Sequence, residues 1–281
     1  MPDPIYVGAR RALLDALEAL GKHRDALILV GAQAIYLHTG EADLVVAPFT
    51  KDGDLVIDPS RLSSDPRLEE AMRGADFELS SQPGIWLSSS SLAQIDLLVP
   101  DAVAGASGSR SARLAGHEPR AARKVHGLEG ALVDHAPHTL KALDPSDLRS
   151  VEAHVAGPTA LLVAKLHKLG ERQEQPHRLV EKDALDVYRL LFAIETGDLA
   201  AGMQRLLREA VSAQAAREAV VYLDRLFGTT SAPGSQMAGA AAPQDSDTVI
   251  QSASTLALDL LDAVEHDGDD VVPVRARPLD E

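Results

Sequence analysis

The feature that most constrains the fold is a short apolar run that stops at a glycine and leads into a helical segment. Residues 26–30 are apolar, Gly31 follows them, and residues 32–38 have a helix-compatible composition that ends at Gly40. A second pattern typical of a buried strand covers residues 54–57. A residue without a side chain allows a tight turn at the end of a buried strand. The order therefore predicts strand, turn, helix and strand, as in an α/β fold.

Further elements extend this unit into a mixed sheet with flanking helices. Apolar residues at helical spacing predict an amphipathic helix over residues 5–20, and a short helix is predicted over residues 68–72. Residues 102–113, rich in Gly, Ser and Ala, are predicted to form a mobile loop. More strands are predicted at residues 77–79, 85–87 and 94–99.

The later part of the sequence has a different pattern, in which helices follow one another. Gly157 and Pro158 suit the cap and first residue of a helix that runs to about residue 172. A stretch rich in Gly, Ala, Ser and Pro at residues 228–246 is predicted to be a flexible, weakly structured linker. Helical patterns also cover residues 179–194, 200–227 and 249–264. We therefore predict an α/β domain at residues 1–150 and a helical domain at residues 151–281.

Composition excludes several classes of protein. The apolar runs fall well short of the roughly 20 residues that cross a bilayer, so no transmembrane helix is expected. The N-terminus lacks the pattern of a secretory signal, and the absence of cysteine excludes disulfides and thiolate metal sites. We therefore expect a soluble cytoplasmic protein without a membrane partner. Aromatic residues make up only 3% of the chain, which argues against base-stacking platforms such as the RRM.

Three aspartates form the candidate metal site. Asp52 and Asp54 are two residues apart, so in a strand they project from the same face and together can bind a hard cation through oxygen. Asp96 lies between Ile95 and Leu97 in an apolar strand pattern, where a lone ionised carboxylate is costly unless it is paired or metal-bound. The sequence therefore predicts a site for Mg²⁺, or for Mn²⁺ in its place, on these three carboxylates.

The segment around these acids also suits a nucleotide. Metal ions held by carboxylates can stabilise the attacking and leaving oxygens of a displacement at a nucleotide α-phosphate. A strand that ends at Gly31 lets backbone N–H groups and the following helix N-terminus approach a triphosphate, and Gln33 can add a hydrogen bond. Ala32, Thr50 and Lys51 belong to the same segment and are included in the predicted nucleotide-binding residues. The predicted chemistry is phosphoryl transfer from a nucleoside triphosphate (NTP).

These motifs resemble those of a known superfamily. The glycine turn at residues 30–34, followed by Thr-Lys-Asp-Gly-Asp at residues 50–54, resembles the signature of nucleotidyltransferases of the DNA polymerase β superfamily. Together with Ala-Lys-Leu-His-Lys at residues 164–168 and Lys-Asp-Ala-Leu-Asp at residues 182–186, the chain is similar to the AbiEii-type and MenT toxin nucleotidyltransferases. The matches touch most of residues 27–190.

The resemblance implies roles for further residues and names partners. It implies that a lysine of the first later helix, Lys165 or Lys168, and Asp183 of the second support nucleotide binding and catalysis. Arg172 shares a helix face with both lysines and is included in the predicted nucleotide site. The resemblance also implies that nucleotides are added to the 3′ end of tRNA, and that an antitoxin encoded beside the protein is its partner.

A basic cluster follows the predicted metal-ligand strand, although the formal net charge of the chain is -15. Between residues 110 and 126 the only acid is Glu118. Local positive charge of this kind can offset the long-range repulsion of nucleic acid. We predict contact with triphosphate or the RNA backbone; the alternative is a solvated helix that balances the acidic remainder. The cluster includes Arg110, Arg113, Arg120, Arg123 and Lys124.

Other interpretations of these residues stay open. An Asp-x-Asp pair alone is common in exposed turns, and Asp58 is better explained as the cap of the turn after its strand than as a metal ligand. The lysine helix also has the pattern of any solvated amphipathic helix. A small molecule or a protein side chain is an alternative acceptor. Ala32 and Gly53 depart from the signature, so an inactive nucleotidyltransferase fold that serves as a binding module is a third interpretation.

Overall fold

The chain forms two compact units, Met1–Leu161 and Leu162–Glu281. This computed structural model describes residues 3–40, 49–91, 93–105, 110–171 and 181–266. The first unit contains a mixed eight-stranded sheet with helices, and the second is helical. The predicted α/β class with a helical C-terminal region is confirmed. None of the helices in these described ranges combines the length and the apolar character that a bilayer crossing requires.

The first unit confirms the predicted N-terminal helix and the predicted sequence of strand, glycine turn and helix. Its helices are α1 (Pro4–Ala19), α2 (Gly31–Thr39) and α3 (Leu68–Gly74). Its strands are β1 (Leu27–Val30), β2 (Asp52–Ile57), β3 (Phe77–Leu79), β4 (Ile85–Ser88), β5 (Gln94–Pro100), β6 (Arg123–Val125), β7 (His135–Lys141) and β8 (Ser150–Ala156). Short 3-10 helices lie at Gly21–Ala26, Asp101–Val103 and Glu129–Leu132.

The strands form one mixed sheet in the order β3-β4-β5-β2-β1-β8-β7, and β6 also pairs with β5. β1 pairs antiparallel with β2 and parallel with β8, while β2 pairs parallel with β5. The outer pairs β3 with β4, β4 with β5 and β7 with β8 are antiparallel. The central strands β1, β2 and β5 are buried along most of their length, as their apolar sequences require.

The two faces of the sheet have different surroundings. Because side chains alternate between faces along a strand, Gly53 and its partner Ile95 lie on the face opposite to Asp52 and Asp54. Helix α1 packs on the face of Gly53, where an added Cβ atom would lie 3.3 Å from Leu13 Cδ1. The missing side chain at this position therefore lets α1 approach β2 closely. The aspartates project from the other face of the sheet.

Helix α1 forms where the sequence supplies both a cap and an apolar stripe. Asp3 is the N-cap, and its carboxylate accepts a hydrogen bond of 2.7 Å from the backbone N–H of Ile5. Pro4 occupies the first turn, where the missing N–H costs nothing. The buried side of the helix includes Ala9, Leu13 and Leu17.

Two strands that the sequence patterns missed move the domain boundary. β7 and β8 form a hairpin, and β8 joins the sheet beside the central strand β1 through the pair Ile28 and His154. The first unit therefore ends at Leu161, whereas the predicted boundary was residue 150. In β7 only Leu140 is buried and Pro137 interrupts the run, so its period-two signal is weak.

The second unit confirms the predicted helices and divides one of them in two. α4 spans Pro158–Gly170 and contains the boundary between the units. The predicted helix at residues 200–227 is divided into two helices in the structure. The helices of this unit after α4 are α5 (Glu181–Ala193), α6 (Thr196–Arg208), α7 (Ala213–Phe227), α8 (Pro233–Ala240) and α9 (Ser246–His266).

The predicted flexible linker at residues 228–246 is wrong, because it contains α8 and much of that helix is buried. A Cβ atom at Gly234 would lie 2.7 Å from the Leu226 carbonyl oxygen. A Cβ atom at Gly239 would lie 2.5 Å from Ile250 Cγ1. The small residues therefore allow α8 to pack closely against its neighbours, although the same composition is typical of linkers.

Candidate functional site

The three predicted metal ligands lie on one face of adjacent strands. In the parallel register of β2 and β5, Asp54 is the partner of Asp96. Asp54 is also the partner of Val30, the last residue of β1. Asp52 and Asp54 are half-buried, whereas Asp96 is only 3% exposed. The register therefore places the three acids on one face, near the glycine turn after β1.

Gly31 makes room for the Asp54 carboxylate at the start of α2. Its φ is +70°, in the left-handed region that favours glycine. A Cβ atom at Gly31 would lie 2.0 Å from Asp54 Oδ2. Val30, the N-cap of α2, offers no side-chain hydrogen bond to the first turn. The Asp54 carboxylate therefore lies beside the positive end of α2, where backbone N–H groups lack intrahelical acceptors.

Asp52 is held at both its carboxylate and its backbone. Thr50 Oγ1 donates a short hydrogen bond to Asp52 Oδ1. Gln33 Nε2 donates to the Asp52 carbonyl at 2.9 Å, and Gln33 Oε1 accepts from Arg10 Nε at 2.7 Å. Gln33 is only 1% exposed, so its amide is used inside the protein and does not face a nucleotide, contrary to the sequence prediction. Lys51, between these residues, is exposed.

Ala32 contributes to this turn only through its backbone. Its side chain is buried, with 6% of the residue exposed. The predicted nucleotide contact at this position is therefore restricted to its N–H group in the first turn of α2.

Asp96 is the most enclosed of the three acids. Gln94 Nε2 donates to Asp96 Oδ1 at 2.6 Å, and Arg123 Nη2 forms a short ion pair with Asp96 Oδ2. Burial raises the pKa of Asp96, Arg123 and Gln94 oppose this rise, and the charge of Asp52 adds to it. Negative charge on this face therefore needs compensation, and Arg123 supplies part of it.

The three carboxylates share a face but do not converge on one point. Among the described residues, they are not a set whose oxygens all lie within 4.8 Å of one another. Thr50 holds the Asp52 carboxylate, while Gln94 and Arg123 hold the Asp96 carboxylate. A single cation bound by all three would require one of these side chains to move.

The basic cluster is divided between the acidic site and the surface around it. Arg123 and Lys124 lie in β6, so the alternative of a solvated helix is wrong for this part. Arg123 lies against Asp96, and Lys124 forms an ion pair of 3.1 Å with Asp101. Of these two residues, Arg123 is therefore the one that lies beside a predicted metal ligand.

The remaining basic residues of the cluster are on the surface. Arg120 Nη2 donates hydrogen bonds of 2.8 Å to the carbonyl oxygens of Ser80 and Ser81. Arg110 and Arg113 are exposed, and the chain at these positions is not helical. These three arginines are therefore exposed residues outside the helices and strands of the structure.

In the helical unit, the two candidate lysines have different surroundings. Lys165 is 6% exposed, and its Nζ donates to Asp183 Oδ1 and to Asp186 Oδ2, both at 2.7 Å. Lys168 Nζ donates to Asp183 Oδ1 at 2.9 Å, but 42% of its side chain is exposed. The position of Arg172 lies outside the described residues.

The ion pairs of this cluster keep Lys165 and Asp183 in their charged forms. Burial lowers the pKa of Lys165, but Asp186 and Asp183 outweigh burial and raise it above the ordinary range. Burial raises the pKa of Asp183, but Lys165 and Lys168 outweigh burial and lower it well below the ordinary range. Among the two lysines and two aspartates that these ion pairs join, Lys168 is the member with substantial exposure.

Sequence reasoning missed two residues that support the acids. Gln94 is two residues before Asp96, and this strand spacing places both side chains on one face. Arg10 is only 3% exposed and holds Gln33 through a hydrogen bond from Arg10 Nε to Gln33 Oε1.

Comparisons with models of protein families, with curated proteins and with solved structures gave no match to this chain. The assignment of a function therefore depends on the geometry of its own residues.

Proposed function

We propose that the chain is a divalent-metal-dependent nucleotidyltransferase, which transfers a nucleoside monophosphate from an NTP to an acceptor hydroxyl and releases pyrophosphate. The observation that supports this most strongly is the contact between Gly31 and Asp54. It puts one of three carboxylates on a sheet face directly beside the N-terminus of a helix. Carboxylates are ligands for Mg²⁺, and a helix N-terminus binds phosphate. A metal-complexed triphosphate needs both.

The residues present fit a hard divalent cation such as Mg²⁺ or Mn²⁺. Asp52 and Asp54 offer oxygen ligands, and the charge of Asp52 helps to raise the pKa of Asp96, so a cation would relieve repulsion on this face. Asp96 would join them by exchanging its contact with Arg123 or Gln94. When bound, such cations would neutralise the triphosphate and stabilise charge on the oxygens around the α-phosphate.

The chain's own groups would orient the nucleotide on the aspartate face. Backbone N–H groups in the first turn of α2, which begins at Gly31, would donate to phosphate oxygens. Arg123 lies beside Asp96 and would offset negative charge that develops during the transfer. No covalent intermediate with the protein is required.

We assign different roles to the two lysines of the helical unit. Lys168 would contact phosphate, because its side chain is substantially exposed. Lys165 would hold Asp183 and Asp186 in position, since it is enclosed between them. The supporting observation is the difference in exposure, which sequence spacing alone does not reveal.

We propose the 3′ end of tRNA as the acceptor and a cognate antitoxin as the partner. The resemblance to AbiEii-type and MenT toxins supports this choice. The exposed Arg110, Arg113 and Arg120 also support it, because surface cations favour a polyanionic acceptor on an acidic protein.

A second candidate function is a binding module that has lost catalysis. The observation in its favour is that both Asp96 oxygens are already engaged, one by Gln94 and one by Arg123. If these contacts persisted in the presence of metal, Asp96 would not serve as a metal ligand and the catalytic site would be incomplete.

Label transfer in Mg²⁺ from each of the four α-³²P-labelled NTPs to total tRNA or total cell protein tests the proposal. The variants are Asp52→Asn and Asp54→Asn, with Asp58→Asn as a matched control, because Asp58 caps a turn through Ser60 N at 2.9 Å. We expect labelled tRNA with wild type and the control, and its loss in the two site variants. Labelled protein would change the acceptor. No label and no NTP binding would favour the binding module.

A further inference from the structure

We infer that Arg10 and Gln33 are positioning residues that fix Asp52, so that helix α1 sets the metal affinity of the aspartate face. The inference rests on the proposed function, because it takes Asp52 as a metal ligand. It assigns a function to Arg10, a buried residue of α1 that the proposed reaction does not use. It also replaces the predicted nucleotide contact of Gln33 with an indirect role.

A continuous chain of hydrogen bonds joins α1 to the first acid. Arg10 Nε donates to Gln33 Oε1 at 2.7 Å, and Gln33 Nε2 donates to the Asp52 carbonyl at 2.9 Å. The direction of the amide is fixed, because a guanidinium only donates and a carbonyl only accepts. A rotated amide would put Gln33 Nε2 against Arg10 and Oε1 against the Asp52 carbonyl. Arg10 therefore determines which group Gln33 presents to Asp52.

The environment of Arg10 is not what packing alone would favour. Arg10 is 3% exposed, and its other donors go to the Lys141 carbonyl at 2.9 Å and to Tyr6 Oη at 3.2 Å. Within the part of the chain that the structure describes, all of these acceptors are neutral and Arg10 forms no ion pair. A buried cation without a carboxylate is costly, and an apolar side chain of similar size would avoid that cost.

The residue at which this chain of hydrogen bonds ends explains what the buried Arg10 contributes. Asp52 is the first residue of β2, where the strand leaves the preceding loop. Thr50 fixes the Asp52 carboxylate through its hydroxyl, and Gln33 fixes the same residue through its backbone. Loss of a residue that orients a metal ligand typically lowers the metal affinity by about 10- to 100-fold. Loss of the Gln33 contact would therefore loosen the first ligand without removing a ligand atom.

Mn²⁺ binding, measured from the electron paramagnetic resonance signal of free Mn²⁺, tests the inference on the full chain. The variants are Gln33→Met and the double variant Arg10→Met with Gln33→Met. The matched control is Arg11→Met, on the same helix, where the arginine is 49% exposed and forms an ion pair of 2.7 Å with Asp144. Thermal unfolding of each variant without metal shows whether the fold is retained. The double variant is included because removing both buried polar partners together limits the loss of stability.

We expect the Kd for Mn²⁺ to rise about tenfold or more in Gln33→Met and in the double variant, and to stay unchanged in Arg11→Met. An unchanged Kd in a folded double variant would overturn the inference and leave the proposed metal site intact. A wild-type protein that does not bind Mn²⁺ would overturn the proposed metal site, and the inference with it.

Discussion

A Cβ atom on Gly31 would lie 2.0 Å from Oδ2 of Asp54, so the start of α2 and the second acid occupy the same small space. The backbone of Gly31 is also in the left-handed region, with φ at +70°. Two independent constraints therefore require glycine at this position. Because β1 and β2 pair through Val30 and Asp54, the strand register sets this contact.

Gly31→Ala is expected to destabilise the protein by about 2 kcal/mol or more, because the left-handed backbone and the contact with Asp54 both oppose a side chain. Urea unfolding measures the cost. Asp54→Ala should relieve the contact but not the backbone strain, so the double variant should cost at least about 1 kcal/mol less than the sum of the single variants. If the losses of unfolding free energy in the two single variants simply added in the double variant, the contact between Gly31 and Asp54 would be contradicted.

Gly53→Val is expected to cost about 1–3 kcal/mol through overpacking. An added Cβ would already lie 3.1 Å from Ile95 Cδ1 and 3.3 Å from Leu13 Cδ1, and valine adds two further methyl groups. Combining it with Leu13→Ala should recover part of the loss, as measured by thermal unfolding. If Gly53→Val were as stable as wild type, the close packing of α1 on β2 would be incorrect.

Arg123→Met is expected to destabilise the protein by about 2 kcal/mol, because the buried Asp96 carboxylate would lose the cation that offsets the cost of its burial. This value lies below that of a fully buried pair, since 32% of the Arg123 side chain is exposed. The combined change Arg123→Met and Asp96→Leu should recover most of the loss in chemical unfolding. Equal stability of Arg123→Met and wild type would mean that Asp96 does not depend on this partner.

The two lysines of α4 should respond differently to the same change. Lys165→Met is expected to cost about 3–5 kcal/mol, because Asp183 and Asp186 would lose the buried cation between them. Lys168→Met should change stability by less than about 1 kcal/mol but weaken NTP binding, which equilibrium dialysis measures. The reverse pattern would exchange the roles assigned to the two residues.

Acid should weaken the helical unit through Asp183. Lys165 and Lys168 hold the pKa of Asp183 below its ordinary value of 3.8, although burial opposes this. Its contribution to stability is therefore complete above pH 3.8 and is lost as pH falls toward the depressed folded-state pKa. Unfolding free energies of wild type and Asp183→Asn at several pH values below 5 test this. The variant should show a smaller loss on acidification, and parallel curves would contradict the assignment.

The sequence predicted the elements whose signals are local. The apolar run before Gly31 identified β1 and α2, and the apolar pattern around Asp96 identified β5. The spacing of Asp52 and Asp54 correctly placed their side chains on one face of a strand. The strand β8 also carried an alternating signal at Val151, Ala153 and Val155, but the predicted domain boundary at residue 150 separated it from the sheet.

The parts that the sequence did not predict depend on contacts between distant residues. Nothing near Arg10 in the sequence indicates that it is buried against Gln33, 23 residues away. The ion pair of Arg123 with Asp96 depends on the pairing of β5 with β6, which turns a presumed surface cation into part of the candidate site. Helix α8 was missed because small residues such as Gly234 serve close packing in a fold and flexibility in a linker equally well.

Pyrophosphate release is the most direct test of the proposed nucleotidyl transfer, because the measurement does not depend on which RNA species is the acceptor. Wild type and Asp54→Asn are incubated with the four NTPs, total tRNA and either Mg²⁺ or a chelator. We expect pyrophosphate formation by wild type only with Mg²⁺, and a rate about a hundredfold or more lower in Asp54→Asn. Equal rates in the two proteins, or no pyrophosphate from wild type under any of these conditions, would contradict it.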